Sequence, residues 1–180
     1  MTIHTGSFST KTRTLARKVR QLMKKGGASK RDIDVVACVI PYGKSFNTTA
    51  LAGALANLFK AEIVYLREKK PTDNEMKEKE YIYHSYDDDA DSNTVYTEAS
   101  VCGKDYKNKN VLIVVDDVGD GKIAAASCEL LEHCGQMRVA AVATEEVKTF
   151  LEPTEALDEW SLVYLNETHE SPRRGRKRKN

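Results

Sequence analysis

Val111-Leu112-Ile113-Val114-Val115-Asp116-Asp117-Val118-Gly119-Asp120-Gly121-Lys122 is the stretch that decides how this chain folds. Its aliphatic run is too continuous for a strand with one wet face and fits a strand buried on both faces, as in parallel sheets. Two adjacent carboxylates stand at its carboxyl end, where open α/β sheets bind their ligands. A glycine-bearing turn then opens a helix running to about Cys134, with Ile123, Ala126, Leu130, Leu131 and Cys134 on one face and Gly135 as its C-cap. Glycines let backbone N–H groups point at an anion, and a helix N-terminus favours negative charge. Asp and Gly are also common in plain polar turns; the setting between an apolar strand and an amphipathic helix favours a ligand site. Lys122 adds positive charge. Asp116 and Asp117 would repel a phosphate, so ribose hydroxyls or a magnesium ion are their natural partners.

Upstream lies a βαβ unit. Ile33 to Ile40 is a second buried strand, ended by Pro41-Tyr42-Gly43-Lys44-Ser45. Leu51, Leu55, Leu58 and Phe59 mark a helix over about 47–59, and Ala61 to Leu66 is the next strand. Before it, residues 10–25 read as a basic helix with Leu15, Val19, Leu22 and Met23 as its apolar stripe, Gly26 and Gly27 as its stop, and residues 1–9 loose. Residues 67–80 are charged and carry Pro71. Tyr81 to Tyr86 and Thr94 to Thr97 form a hairpin whose acidic tip, residues 87–93, lacks the glycine and trailing glutamate of an EF-hand. Downstream, Met137 to Ala143 and Trp160 to Leu165 read as strands, with a short helix or turn over 152–159.

The fold class expected is α/β: an open, mostly parallel sheet flanked by helices, with a flexible hairpin loop. One domain spans 1–165: a basic N-terminal helix (1–30), a core (31–148) and a region over 149–165 suited to a substrate hood. Residues 166–180 form a disordered basic tail. Cys38, Cys102, Cys128 and Cys134 show no CxxC spacing and read as buried reduced thiols. No apolar run is long enough to span a membrane and no signal region opens the chain, so the expected location is cytoplasmic, with a nuclear address left open by Arg173-Arg174-Gly175-Arg176-Lys177-Arg178-Lys179. The net charge of +1 conceals a division: residues 1–31 carry nine bases and no acid, residues 173–180 carry six bases, and the body between is strongly acidic. Basic ends on an acidic body suit a polyanionic partner such as nucleic acid, bound mainly by electrostatics.

The stretch from Val111 to Ile123 resembles the phosphoribosyl pyrophosphate (PRPP) motif of type I phosphoribosyltransferases: an apolar run, two acids, then a short loop opening a helix. The order of parts is similar over roughly residues 33–145. The resemblance implies that Asp116 and Asp117 are the catalytic carboxylates and hold the ribose hydroxyls. It implies that Gly119, Asp120, Gly121, Lys122 and Ile123 bind the 5′-phosphate. VIPYGKS (39–45) looks like the family's pyrophosphate loop, which gives Tyr42, Gly43, Lys44 and Ser45 that role. IVYLREKKP (63–71) adds Arg67, Lys69 and Lys70, for which a solvated turn paired with Glu68 is an equal alternative. Residues 72–98 would be the loop that closes over the reactants.

The implied reaction transfers a phosphoribosyl group from PRPP to a nucleobase nitrogen and releases pyrophosphate. Magnesium comes with PRPP and has no direct protein ligands. Glu98, Asp120 and His84 are candidate bases, Trp160 or Tyr164 could stack on a nucleobase unless Trp160 anchors the core, and the family's usual assembly is a homodimer. The phosphate loop departs from the family pattern. It is one residue short, has no Thr or Ser before Ser127, and places Asp120 where a phosphate should sit. That departure, with the basic ends, sustains an alternative of another class: a non-catalytic protein on the same fold that senses PRPP or binds nucleic acid.

Overall fold

The structure, a computed structural model, describes residues 5–25, 33–42, 46–87, 93–148 and 160–168. Within them, seven strands form one sheet in the order β3-β4-β2-β1-β5-β6-β7. They are β1 (Val35–Ile40), β2 (Glu62–Arg67), β3 (Tyr81–Ser85), β4 (Thr94–Glu98), β5 (Asn110–Val114), β6 (Arg138–Lys148) and β7 (Leu162–Thr168). β2, β1, β5, β6 and β7 run parallel. The β3–β4 hairpin joins the edge of β2 antiparallel. The helices are α1 (Thr5–Lys25), α2 (Phe46–Phe59), α3 (Asp73–Glu78) and α4 (Lys122–His133). A mostly parallel sheet with helices on both faces is the architecture expected.

The alternation of side chains along each strand divides the core in two. On one face Val111 and Ile113 of β5 meet Val35, Ala37 and Val39 of β1 and the Ala124, Ala126, Leu130 and Leu131 face of α4. On the other, Leu112 and Val114 meet Val36 and Cys38, together with Leu15 and Val19 of α1 and Leu51, Leu55 and Phe59 of α2. All four central residues of β5, Val111 to Val114, are fully buried.

Several boundaries differ from expectation. α1 begins at Thr5, so residues 5–9 are helical rather than loose. β7 continues to Thr168 because Asn166, Glu167 and Thr168 pair with Glu146, Val147 and Lys148; the tail therefore cannot begin at 166. The C-cap of α4 is Cys134 with right-handed φ, and the left-handed residue is Gln136, not Gly135. Cys38 and Cys128 are buried, whereas Cys102 is half-buried and Cys134 exposed. Burial pushes the Cys38 and Cys128 thiols up, which makes them poor nucleophiles. Trp160 packs against the first core cluster and donates Nε1–H to Glu132 Oε2 at 3.4 Å, the anchoring role rather than a stacking one. The acidic tip at 88–92, the hood stretch at 149–159 and the basic tail from 169 lie outside the described residues.

The charged stretch after β2 contains a helix, α3. Thr72 and Glu75 cap it reciprocally: Glu75 N–H donates to Thr72 Oγ1, and Thr72 N–H donates to Glu75 Oε2 at 2.8 Å. Arg67 at the end of β2 donates to both Glu75 oxygens, at 2.8 and 2.9 Å. That paired guanidinium, with the two Thr72 bonds, holds the Glu75 carboxyl well below its ordinary range. A depressed carboxylate stabilises the fold fully above its unfolded pKa and loses that contribution as pH falls through the folded value. Rate-corrected amide exchange in residues 73–78 is therefore expected to stay constant from about pH 7 to about pH 5. Glu75→Gln is expected to accelerate it at both.

Candidate functional site

The carboxyl ends of β1 and β2 meet the start of α4 and the base of the hairpin around a cavity of about 330 Å³ lined by Tyr42, Glu68, Lys70, Asn93, Thr94, Tyr96 and Ile123. The backbone ties these ends together: Tyr42 N–H donates to Glu68 Oε2 at 3.1 Å, and Glu68 N–H donates to Ile40 O at 3.1 Å. Tyr42 is 75% exposed, so its ring is available to a ligand. Gly43, Lys44 and Ser45 lie outside the described residues.

β5 delivers its two carboxylates just beyond its carboxyl end, ahead of the loop that opens α4. Val115 N–H donates to Ala143 O at 3.0 Å, which extends the β5–β6 pairing one step beyond the strand. Asp116 is then held from two sides. Thr48 in the first turn of α2 donates its hydroxyl to Asp116 Oδ1 at 3.1 Å, and Thr144 on β6 donates to Asp116 O at 3.0 Å. Both threonines are buried, while Asp116 and Asp117 are exposed. Val118 inserts into the core and turns the flanking carboxylates outward. Sequence reasoning missed Thr48 and Thr144, since a hydroxyl that reaches a residue distant in the chain leaves no spacing signal.

The loop from Gly119 to Gly121 turns through the left-handed region: φ is +53° at Gly119 and +82° at Gly121, the N-cap of α4. Its amides bond within the loop. Gly119 N–H donates to Asp117 Oδ1 at 3.1 Å, Gly121 N–H to Val118 O at 2.8 Å, and Lys122 N–H to Asp120 Oδ1 at 3.2 Å. Asp120 thus turns back onto the helix start. Lys122 Nζ donates to both oxygens of Asp87, at 3.0 and 3.1 Å. Lys122 pulls the Asp87 carboxyl below its ordinary range, and Asp87 raises Lys122.

The basic residues after β2 separate. Arg67 pairs with Glu75, not Glu68, and its guanidinium lies over the Tyr81 ring at 5.3 Å. Lys70 lines the cavity, and Lys69 is exposed beside it. Among the candidate bases, Glu98 pairs with Lys79 and His84 with Glu129 of α4, so both are engaged elsewhere. Among the described residues no group of three His, Cys, Asp or Glu gathers that could hold a metal. No helix among the described residues is long and apolar enough to cross a membrane.

No family model matches the sequence, and neither does any curated protein. Solved structures do match. The adenine phosphoribosyltransferase of Thermoanaerobacter pseudethanolicus superposes with a TM-score of 0.57, covering 83% of this chain and 77% of its own, at 22% identity. That of Saccharomyces cerevisiae, complexed with an imino-altritol bisphosphate and adenine, gives 0.59, 85%, 78% and 19%. That of Giardia lamblia, complexed with 9-deazaadenine, gives 0.54, 92%, 85% and 16%. The fold is that of the type I phosphoribosyltransferases.

The left-handed turn gives the first test of the site. An L side chain at such a φ costs about 1–2 kcal/mol, and a β-branched one is least tolerated. Gly121→Val is expected to lower stability in urea titration by at least this amount, whereas at Gly119 a Cβ meets nothing within 4 Å, so Gly119→Ala should show backbone strain alone. An unshifted midpoint for Gly121→Val would contradict the turn geometry.

Proposed function

We propose that this protein is a phosphoribosyltransferase that takes the phosphoribosyl group of PRPP to a nucleobase nitrogen. The observation that carries the reading is the position of Asp116: an exposed residue whose carboxylate accepts from Thr48 and whose backbone carbonyl accepts from Thr144, just ahead of the left-handed loop that opens α4. Carboxylates there accept hydrogen bonds from ribose hydroxyls. The loop from Gly119 to Ile123 takes the 5′-phosphate, and the diphosphate falls to Tyr42, Lys69 and Lys70 with the segment 43–45, while Arg67 is engaged by Glu75. The bond from the anomeric carbon to the diphosphate breaks, a bond to the base nitrogen forms, and the proton on that nitrogen leaves with the products. Positive charge develops on the sugar, so positioning and electrostatic stabilisation are the protein's principal tasks. Magnesium, when bound with PRPP, neutralises the departing diphosphate.

The solved relatives support the class of partner. Besides the complexes already described, the adenine phosphoribosyltransferase of Trypanosoma brucei was solved with AMP, pyrophosphate and ribose-5-phosphate. Pyrophosphate release is expected with PRPP, magnesium and one member of a panel of adenine, guanine, hypoxanthine, xanthine, uracil and orotate. Asp116→Asn combined with Asp117→Asn should abolish both that release and the thermal stabilisation by PRPP while leaving the circular dichroism spectrum unchanged. Stabilisation that survives in the double variant refutes the assignment.

A second reading rests on α1. Arg13, Arg17, Arg20 and Lys24 recur at helical spacing, are exposed, and have no acid near them in sequence. Arg20 is partly engaged, donating to Leu58 O and lying over Phe59. We infer that this face binds nucleic acid through its phosphates. Three or four contacts predict an affinity that falls with salt at a log–log slope of about −3. Retention that ignores salt, or that persists after Arg13→Gln, Arg17→Gln and Lys24→Gln together, removes this reading.

A further inference from the structure

The Gly119, Gly121 and Lys122 amides of the loop after β5 are occupied from within the chain, two of them by carboxylates. Asp117 and Asp120 accept from the Gly119 and Lys122 amides, and both come from the loop itself. A third carboxylate arrives from elsewhere in the chain. Asp87, at the base of the hairpin tip, grips Lys122 Nζ with both oxygens. It is presented there by Asn93, whose Nδ2 donates to Asp87 Oδ2 at 2.6 Å, and the Tyr86 ring lies 5.9 Å from the same ammonium. Asn93 also lines the cavity, so the latch and the cavity wall share a residue.

The hairpin has a second attachment on the same helix. His84 Nε2 pairs with Glu129, and the His84 ring meets His133 edge-on at 6.4 Å. Lys122, Glu129 and His133 lie along one side of α4. The two attachments differ in kind. His84 is a strand residue in register with Val95, so its place is fixed by the β3–β4 pairing. Asp87 lies beyond the paired residues and is held by side-chain bonds with Asn93 and Lys122, together with Tyr86 N–H to Asn93 O at the closing pair. The groups facing the Asp87–Lys122 pair are Asp120 from the loop and Tyr86 from the hairpin.

We propose that Asp87 is a latch that competes with the ligand's phosphate for Lys122, so that filling the loop and freeing Asp87 from α4 are a single exchange. The proposal rests on the reading of residues 119–123 as the phosphate site. A lysine ammonium is a compact point charge that can turn its donors to a new acceptor without moving its backbone. A phosphate monoester carries close to two negative charges near neutrality against one on Asp87, so the ligand wins the exchange once bound. While the latch is closed, only the fraction of molecules with Lys122 released binds at full strength, and the apparent dissociation constant rises by the inverse of that fraction. Asp87 thereby sets how much phosphate-bearing ligand is needed to release Lys122, which makes it a specificity-determining residue for the charge of the ligand.

The test is a double-mutant cycle on the full chain, with ribose 5-phosphate as the probe and calorimetry as the readout. Asp87→Asn is expected to bind the probe at least about threefold tighter than the parent protein. Lys122→Met is expected to bind it more weakly, and adding Asp87→Asn to Lys122→Met should restore nothing. Ribose, without the phosphate, should bind the parent and Asp87→Asn equally. If Asp87→Asn binds no tighter, or tightens binding as much without Lys122 as with it, the latch is overturned while the phosphate site stands. If ribose 5-phosphate binds none of the folded variants, the phosphate reading fails and the latch with it.

Discussion

Backbone pairing of β5 with β1 on one side and β6 on the other is the constraint on which the remaining structure depends. The register sets Val111 to Val114 opposite Val35 to Cys38, and Val111 to Val114 also beside Val139 to Ala143 across a bulge. With both edges paired, neither edge of β5 meets water, and its side chains alternate between the two halves of the core. The strand is therefore held on four sides until Val115, where the chain leaves the sheet. The change from five aliphatic residues to two aspartates coincides with that exit. Had the register slipped by one residue, the α4 face and the α1–α2 face would have exchanged their side chains, and the carboxylates would have exited one step early.

The same constraint explains why Asp116 is fixed while its neighbours are not. Thr48 reaches it from α2 and Thr144 from β6, both through hydroxyls buried under the sheet's end. Asp117 and Asp120 instead fold back onto the amides that follow them. Within a span of five residues, one carboxylate belongs to the scaffold and two belong to the loop. Opposite charges are matched in the same local way around the site: Arg67 with Glu75, Lys79 with Glu98, Lys122 with Asp87.

What could be read from the sequence follows from which forces leave a periodic trace. β1, β2, β5, α2, α4 and the hairpin were legible because burial imposes spacing on apolar residues. α3 was not, because it buries no residue; its trace is the Thr72 to Glu75 capping pair, which a neighbouring Pro71 and a run of charges obscured. β7 extends past Leu165 through polar residues that pair by backbone alone, so hydropathy falls silent before the strand ends. Arg67 illustrates a further limit. Glu68 is its neighbour in sequence, yet the acid that pairs with it is Glu75 on α3, a helix with no apolar trace. In the site itself, the acids and glycines of the loop were evident, and the aspartate latch from the hairpin was not, since nothing in the sequence aligns Asp87 with Lys122.

The hairpin meets the parallel sheet through a narrow seam, with Leu66 opposite Thr97 and Arg67 opposite Tyr96. The middle strands share far longer ladders. Beyond that seam the hairpin is held by Val95, fully buried in the first core cluster, and by His84 against Glu129 of α4, whereas Tyr86, Asp87 and Asn93 lie past the paired residues. Changes of charge at Tyr86, Asp87 or Asn93, none of them a member of the buried core, are thereby separated from the residues that stabilise the domain. Selection acting on what the cleft admits can proceed there without disturbing how the protein folds.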